Sequence, residues 1–363
     1  MEIYVTKPSL PDLNVLIPHL QEIWSSKQLT NFGHYYKAFQ EKFAEQFSTS
    51  TPILTSSGNS ALNVSCCALY SKGEVITTPY SFVATSNVII SSGCKPVYAD
   101  ICPDTFSITA DTVEKLITKN TTGILATHCY GIPGDIDGLS AISRKYSLPL
   151  IYDCAHGIGV TYHGQALCSY GDASCLSFHA TKLFNTFEGG AIISSDPLIQ
   201  RRVKKLTNFG IVDEFDCDEV GTNAKMNELV AAIGLVALPY VESWINRRRE
   251  IYFSYLYRLS ALSGVDVPKI SAEDHNYSYM PVLFRNNQMR ESAIEKLREN
   301  GIIARRYFYP IIPLLSAYEK YRKSAQKTPV ALDISNRVLC LPIYPDLGAE
   351  TVDFICCILE SLS

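Results

Sequence analysis

The sequence predicts an α/β protein of two unequal domains, the larger built on a mixed, mostly parallel sheet. Three observations carry this. The chain has 363 residues with 47% hydrophobic content, more than a single core usually accommodates. Through the first half, short apolar runs alternate with helical patterns, which favours parallel pairing with helices on both faces. After a long helical stretch near residue 240, a smaller set of strand and helix patterns begins. The expected division is 1–244 for the large domain, with its lead-in, and 245–363 for a small C-terminal α/β domain.

In chain order, an irregular lead-in and a short helix fill residues 1–24, and Asn31-Phe32-Gly33 marks a turn. Phe39, Phe43 and Phe47 recur every four residues, so Tyr35–Phe47 forms a helix with one aromatic face. TPILTSSGNSAL reads as a strand, a Ser-Ser-Gly-Asn-Ser turn and a helix from Ser60. The strands EVITTP, KPVYAD, TGILATH and LPLIYD follow, separated by helices around Phe82–Ser91, Asp111–Lys119 and Leu139–Tyr146. ASCLSF and AIISS are two further strands. NELVAAIGLVAL suits a closely packed helix, and the helix Pro239–Leu259 carries Arg247, Arg248 and Arg249 as a solvated face. SYMPVLF, IIARRYFYP and VLCLPIYPD read as strands, ESAIEKLRENG and TVDFICCILESL as helices.

Composition narrows the function classes. The net charge is −4 and no basic block exceeds Arg247–Arg249, which argues against a nucleic-acid surface and leaves anionic small molecules open. MEIYVTKPSLPDL lacks the apolar run of a signal peptide, and no later segment reads as a membrane span, so a cytoplasmic location without membrane partners is expected. The twelve cysteines stand singly or as neighbours such as Cys66-Cys67, without metal spacing. They read as reduced, mostly buried thiols.

The chemistry gathers around SFHATKLFNTFEGGA, Ser177–Ala191, where Lys182 lies in the connection between two strands. Taken alone it is a solvated loop lysine. Beneath a sheet it can instead shed its proton and carry a carbonyl cofactor as a Schiff base. The strand–Gly–helix passage at Gly58, Asn59 and Ser60 presents free amides and a helix N-terminus, a phosphate site or an ordinary helix cap by Asn59 or Ser60. Asp153 closes an apolar strand, where it must find a cation or hydrogen bonds, or cap the next segment. Ligands gather at the carboxyl ends of such strands, and Phe82, His156 and Ser177 fall near those ends. Pyridoxal phosphate fits the set. It needs an amine (Lys182), a carboxylate for its pyridinium nitrogen (Asp153), a flat side chain over its ring (Phe82) and a phosphate cradle (Gly58, Asn59, Ser60 and Ser177). At about 3 Å and an effective dielectric near 20, the carboxylate–pyridinium attraction is roughly 5 kcal/mol before desolvation.

The motifs SSGNSAL, PYSFVAT, CKPVYADI, HCYGIPGDIDGL, IYDCAHGIG, SFHATKLFNTFEGG and GTNAKMNEL, in that order, resemble the DegT/DnrJ/StrS family of sugar aminotransferases. The resemblance spans nearly the whole chain and implies the fold-type I, aspartate aminotransferase-like architecture. It implies that Lys182 bonds the cofactor and shuttles its protons, that Asp153 pairs with the ring nitrogen, that His156 lies near the cofactor hydroxyl and that Phe82 stacks. Gly58, Asn59 and Ser177 would hold the phosphate. Asn223 would reach the phosphate of a partner subunit, making a homodimer with shared sites; by itself it reads equally as a loop residue or helix cap.

Two departures bear on the substrate. Ala224-Lys225 replaces the aromatic-Arg pair common after that asparagine, and Leu183-Phe184-Asn185 follows the lysine where Asn-Leu is common. The form of SFHATK, NAKMNE and ARRYFYP resembles the subgroup acting on dTDP-linked keto-deoxysugars for deoxyaminosugar, O-antigen and lipopolysaccharide synthesis. This implies L-glutamate as donor and amination at C4 of dTDP-4-keto-6-deoxyglucose, with a 3-keto sugar as close rival. A pyridoxamine-dependent sugar dehydratase, which has histidine at the lysine position, and a non-catalytic ligand sensor are the other classes. Arg305, Arg306, Tyr307 and Tyr309 are candidates to touch substrate.

Overall fold

The computed structural model describes residues 2–270 and 272–362. A short strand, β1 (Ile3–Tyr4), and two helices, α1 (Leu13–Ser26) and α2 (His34–Phe47), lead in. There follow β2 (Ile53–Thr55), α3 (Gly58–Leu69), β3 (Glu74–Thr77), α4 (Ala84–Ser91), β4 (Lys95–Tyr98), α5 (Ala110–Glu114), β5 (Thr121–Thr127), α6 (Ile136–Tyr146) and β6 (Leu150–Asp153). The ribbon of β7 (Thr161–Tyr162) and β8 (Gln165–Ala166) precedes β9 (Ala173–Ser177) and β10 (Gly190–Ile193). Then come α7 (Pro197–Leu206), α8 (Glu228–Ala237), α9 (Val241–Leu259), β11 (Val265–Asp266) and β12 (Met280–Phe284). The chain closes with α10 (Asn287–Glu299), β13 (Ile302–Ile303), α11 (Pro329–Arg337), β14 (Val338–Leu341) and α12 (Ala349–Glu360).

The large sheet has the order β2-β10-β9-β6-β5-β3-β4. β4, β3, β5, β6 and β9 run parallel, and β10 runs antiparallel to both β9 and β2. The direction of β10 has a local cause. No helix separates it from β9, so the chain folds straight back along its neighbour, whereas parallel pairing needs a long crossover. That returning loop carries Lys182. β6 and β10 are buried at every position, as strands covered by helices on both faces must be.

The second sheet, β11-β12-β14, is antiparallel. It packs with α9, α10 and α12 around its own core, which includes Tyr255, Val282, Phe284, Leu297 and Ile355. β1 pairs in parallel with β13, Ile3 opposite Ile302, so the first strand of the chain lies beside its last third.

Several expectations are corrected. Arg248 is 1% exposed, not part of a solvated face. Successive helical residues point about 100° apart, so three adjacent arginines cannot share a side. Trp244, Arg248, Ile251, Tyr252 and Tyr255 form the inner face of α9. There the Arg248 guanidinium donates to the carbonyls of Ile343 (2.8 Å) and Ser278 (3.4 Å), and burial lowers its pKa to about 10. The helix expected over Asp111–Lys119 is only α5, and α4 starts at Ala84 rather than Phe82. IIARRYFYP forms a strand only at Ile302–Ile303, bridges once more where Arg305 lies opposite Cys340, then continues irregularly through cis bonds at Tyr307-Phe308 and Tyr309-Pro310. The helical run Glu228–Leu259 is, by length and composition, long and apolar enough to cross a membrane, contrary to expectation, with 56% of its apolar window buried inside the protein.

α2 shows how distant residues complete a helix. Gly33 precedes it and offers no side-chain cap. The carboxylate of Glu228, itself 1% exposed, accepts from the amides of Tyr35 (2.7 Å) and Tyr36 (3.2 Å) instead, and a negative group there also suits the helix dipole. A Cβ on Gly33 would fall 2.6 Å from this carboxylate. Glu228→Gln keeps one acceptor and loses the charge, so the unfolding midpoint in urea is expected to fall by the equivalent of about 1.5–3 kcal/mol; an unchanged midpoint would remove this account.

Candidate active site

One cavity of about 280 Å³ opens at the carboxyl ends of the parallel strands. It is lined by Gly58, Asn59 and Phe82, and by Asp153, His156, Ser177 and Lys182. Ser60 and Asn223 are not among its lining residues.

At one end lies the start of α3. The helix begins at Gly58 and its cap is Ser57, whose Oγ accepts from the Ser60 amide at 3.0 Å. The expectation of Asn59 or Ser60 as cap, with the helix starting at Ser60, is thereby corrected. The Ser60 hydroxyl is engaged with Ser56 (3.0 Å) and Ser57 (2.9 Å). The first-turn amides of Gly58 and Asn59 have no intrahelical acceptor. A Cβ built on Gly58 would meet the Ser177 Cβ at 2.7 Å, so only glycine lets the helix start come this close to the end of β9. The Ser177 hydroxyl beside a helix N-terminus fits a phosphate.

Asp153 ends β6 and is 5% exposed. Its carboxylate accepts from the Thr85 hydroxyl (2.7 Å) and from the Ala155 amide (3.2 Å), both neutral donors. Burial raises its pKa, while Thr85, the Ala155 amide and the charge of Lys182 pull it back. A buried carboxylate held by neutral donors alone is suited to a cationic ring nitrogen.

Lys182 is half-buried, and its Nζ donates to the Tyr279 hydroxyl at 3.3 Å. Burial lowers its pKa to about 8; Arg305 adds to the lowering, and Asp153 and Cys129 oppose it. A neutral fraction of this amine is therefore present near pH 7, as a nucleophile requires.

His156 is 6% exposed. Burial, aided by Lys182, holds its pKa well below the usual range, so the ring is neutral. Its Nδ1 accepts from the Tyr130 amide at 3.1 Å, which places the ring hydrogen on Nε2. Phe82, 58% exposed, offers a flat face at the cavity.

Asn223 is exposed, and its side-chain oxygen accepts from Lys225 Nζ at 2.9 Å. Of the four candidate substrate contacts, Arg305 and Tyr307 line the cavity. Arg306 pairs with Glu291 at 3.0 Å, and Tyr309 packs against Arg290 and Arg306. Sequence reasoning missed Thr85 and Tyr279. Thr85 sits in the quoted PYSFVAT motif and was within reach of it; Tyr279 carries no local signal. The amine, the buried carboxylate, the exposed aromatic and the helix-start cradle together fit pyridoxal phosphate.

Known proteins share this framework. The dTDP-4-amino-4,6-dideoxy-D-glucose transaminase of Shigella dysenteriae is 38% identical over 356 residues, 97% of this chain and 97% of that protein. The crystal structure of DesI in the presence of its TDP-sugar product aligns with a TM-score of 0.92 at 30% identity, covering 99% of this chain and 92% of that one. NtdA of Bacillus subtilis with bound cofactor PMP aligns with a TM-score of 0.89 at 28% identity, covering 96% and 81%. The model of the DegT/DnrJ/EryC1/StrS aminotransferase family matches residues 14–360. With that match over nearly its whole length and the fold-type I architecture of such enzymes, the chain belongs to the DegT/DnrJ/EryC1/StrS aminotransferase family.

Proposed function

We propose that this chain is a pyridoxal phosphate-dependent aminotransferase that moves an amino group from L-glutamate to C4 of dTDP-4-keto-6-deoxyglucose, giving dTDP-4-amino-4,6-dideoxyglucose. The observation that carries the reaction type is the shared cavity of the Lys182 amine and the buried Asp153 carboxylate. The sugar rests on likeness to the Shigella transaminase.

When bound, pyridoxal phosphate supplies an electron sink for the charge left as the donor loses its α-proton. The Gly58 and Asn59 amides and the Ser177 hydroxyl would hold its phosphate. Asp153 would keep the ring nitrogen protonated, and Phe82 would cover the ring. Lys182 would hold the cofactor between turnovers and serve as the acid and base at the carbon that gains or loses the amine. The neutral His156 directs its Nε2 hydrogen into the site. Asn223, exposed in this chain, would complete the phosphate site of a second copy, making the working unit a homodimer.

The test combines spectra and kinetics. The purified protein with added pyridoxal phosphate is expected to show a visible band that collapses on adding glutamate, and initial rates to give parallel lines. The product is expected to carry nitrogen at C4 by NMR. Intersecting lines would remove the two-stage transfer, and nitrogen at C3 would reassign the substrate. A product that loses oxygen without gaining nitrogen would identify a dehydratase.

A further inference from the structure

Tyr279 stands just before β12 and lines the cavity, far along the sequence from the motifs that hold the other site residues. Its hydroxyl lies 3.3 Å from Lys182 Nζ and 3.2 Å from His156 Nε2. Among the described residues it is the only side chain hydrogen-bonded to that amine. The residue is 5% exposed, and its ring packs against those of His156 (4.5 Å between centroids), Tyr307 (5.4 Å) and Tyr130 (5.6 Å).

The segment behind it is fixed to the large sheet's side of the cavity. Asn276 Nδ2 donates to the carbonyls of His156 (2.7 Å) and Ile158 (2.8 Å), and its Oδ1 accepts from the Ser278 amide (3.1 Å). The buried Arg248 holds the Ser278 carbonyl. The phenol is thus placed from three directions.

Proton positions follow from this geometry. Because His156 Nδ1 accepts from a backbone amide, the neutral ring donates from Nε2 to Tyr279 Oη, using one of its two lone pairs. The other lone pair accepts from Lys182 when the amine is charged. When the amine is neutral, the phenolic hydrogen turns to it instead. The hydroxyl therefore suits Lys182 in both protonation states.

A lysine stem has many rotamers, yet a lysine that repeatedly releases and recaptures a cofactor has to return to one point each time. We propose that Tyr279 is a positioning residue whose hydroxyl holds the Lys182 amine beside His156 whenever that amine is not bonded to the cofactor. This rests on the reading of Lys182 as the cofactor lysine.

Tyr279→Phe keeps the ring and removes only the hydroxyl. The test mixes the full chain, freed of cofactor, with pyridoxal phosphate and follows growth of the visible band. In that step the neutral amine attacks the aldehyde carbon, a C=N bond forms and one water leaves. The expected result is band growth slowed about tenfold to a hundredfold, the scale of a misplaced reacting group, and a kcat lowered with KM for both substrates nearly unchanged. Affinity for pyridoxine phosphate, which has no aldehyde, is expected to match wild type. Band growth at the wild-type rate would overturn the proposal. Lost affinity for pyridoxine phosphate would also overturn it, by showing a general structural role. A wild-type chain that never develops the band would remove the lysine reading itself, and with it this inference.

Discussion

Lys182→Ala is expected to stop amine transfer while leaving a folded protein. The loss should be at least about a thousandfold, because in the proposed function the amine would both hold the cofactor and move protons in each half-reaction, and general acid–base catalysis alone is worth 10²–10⁴. Folding should survive. The amine's side-chain hydrogen bond is the one to Tyr279, whose hydroxyl keeps its contact with His156, and burial of the amine already works against its charge. The native pKa, lowered from 10.5 to about 8, sets a pH dependence. Below about 8 the ammonium dominates, so capture of pyridoxal phosphate by the cofactor-free chain should slow about tenfold for each unit of pH and level off above 8. Circular dichroism and melting establish the fold, initial rates establish the loss, and the visible band gives the titration. Turnover within about tenfold of wild type in the alanine variant, beyond the reach of any acid–base role, would remove the central claim.

The parts of this site that the sequence discloses are those fixed by strand ends. Asp153 and Ser177 each terminate an apolar run, and in a parallel sheet that alone sends them to the same edge. Lys182 follows from the same logic, since the chain between two adjacent strands has to pass that edge. Gly58 is legible as a turn into a helix, although the cap falls to Ser57, because Ser57 and Ser60 compete for one position and only backbone geometry selects between them. What the sequence hides depends on contacts between distant segments. Tyr279 reaches Lys182 across 97 positions and Glu228 reaches Tyr35 across 193, and no period or turn signal encodes such a pairing. Arg248 was misread because a triplet of arginines resembles a solvated patch, whereas its place on α9 is set by the apolar residues one turn away on either side. β1 is hidden for the same reason: two residues carry no pattern, and its partner β13 lies near residue 302.

Asp153→Asn isolates the charge of the buried carboxylate, and its expected effect is a fall in kcat of about a hundredfold to a thousandfold, the range for losing one preorganised electrostatic contact. The fold should tolerate it. An asparagine oriented with Oδ1 toward the Ala155 amide still accepts that bond, and its Nδ2 can face Thr85, whose hydroxyl hydrogen can then turn to Ser81 Oγ, 2.8 Å away. Without cofactor the variant is expected to be at least as stable as wild type, and the sign is fixed by linkage. Burial raises the pKa of Asp153 in the native state above the ordinary aspartate value of 3.8. The native chain therefore binds more protons than the unfolded chain across that interval, and stability drains away as pH rises through it. At neutral pH wild type carries the whole of that deficit and asparagine carries none. Melting of the cofactor-free proteins at pH 7 should place the variant level with wild type or above it, while amine transfer collapses. A variant that melts well below wild type would mean that the carboxylate supports the fold. One that melts normally and turns over at close to the wild-type rate would mean that the charge at the end of β6 does not hold the proton on the cofactor ring.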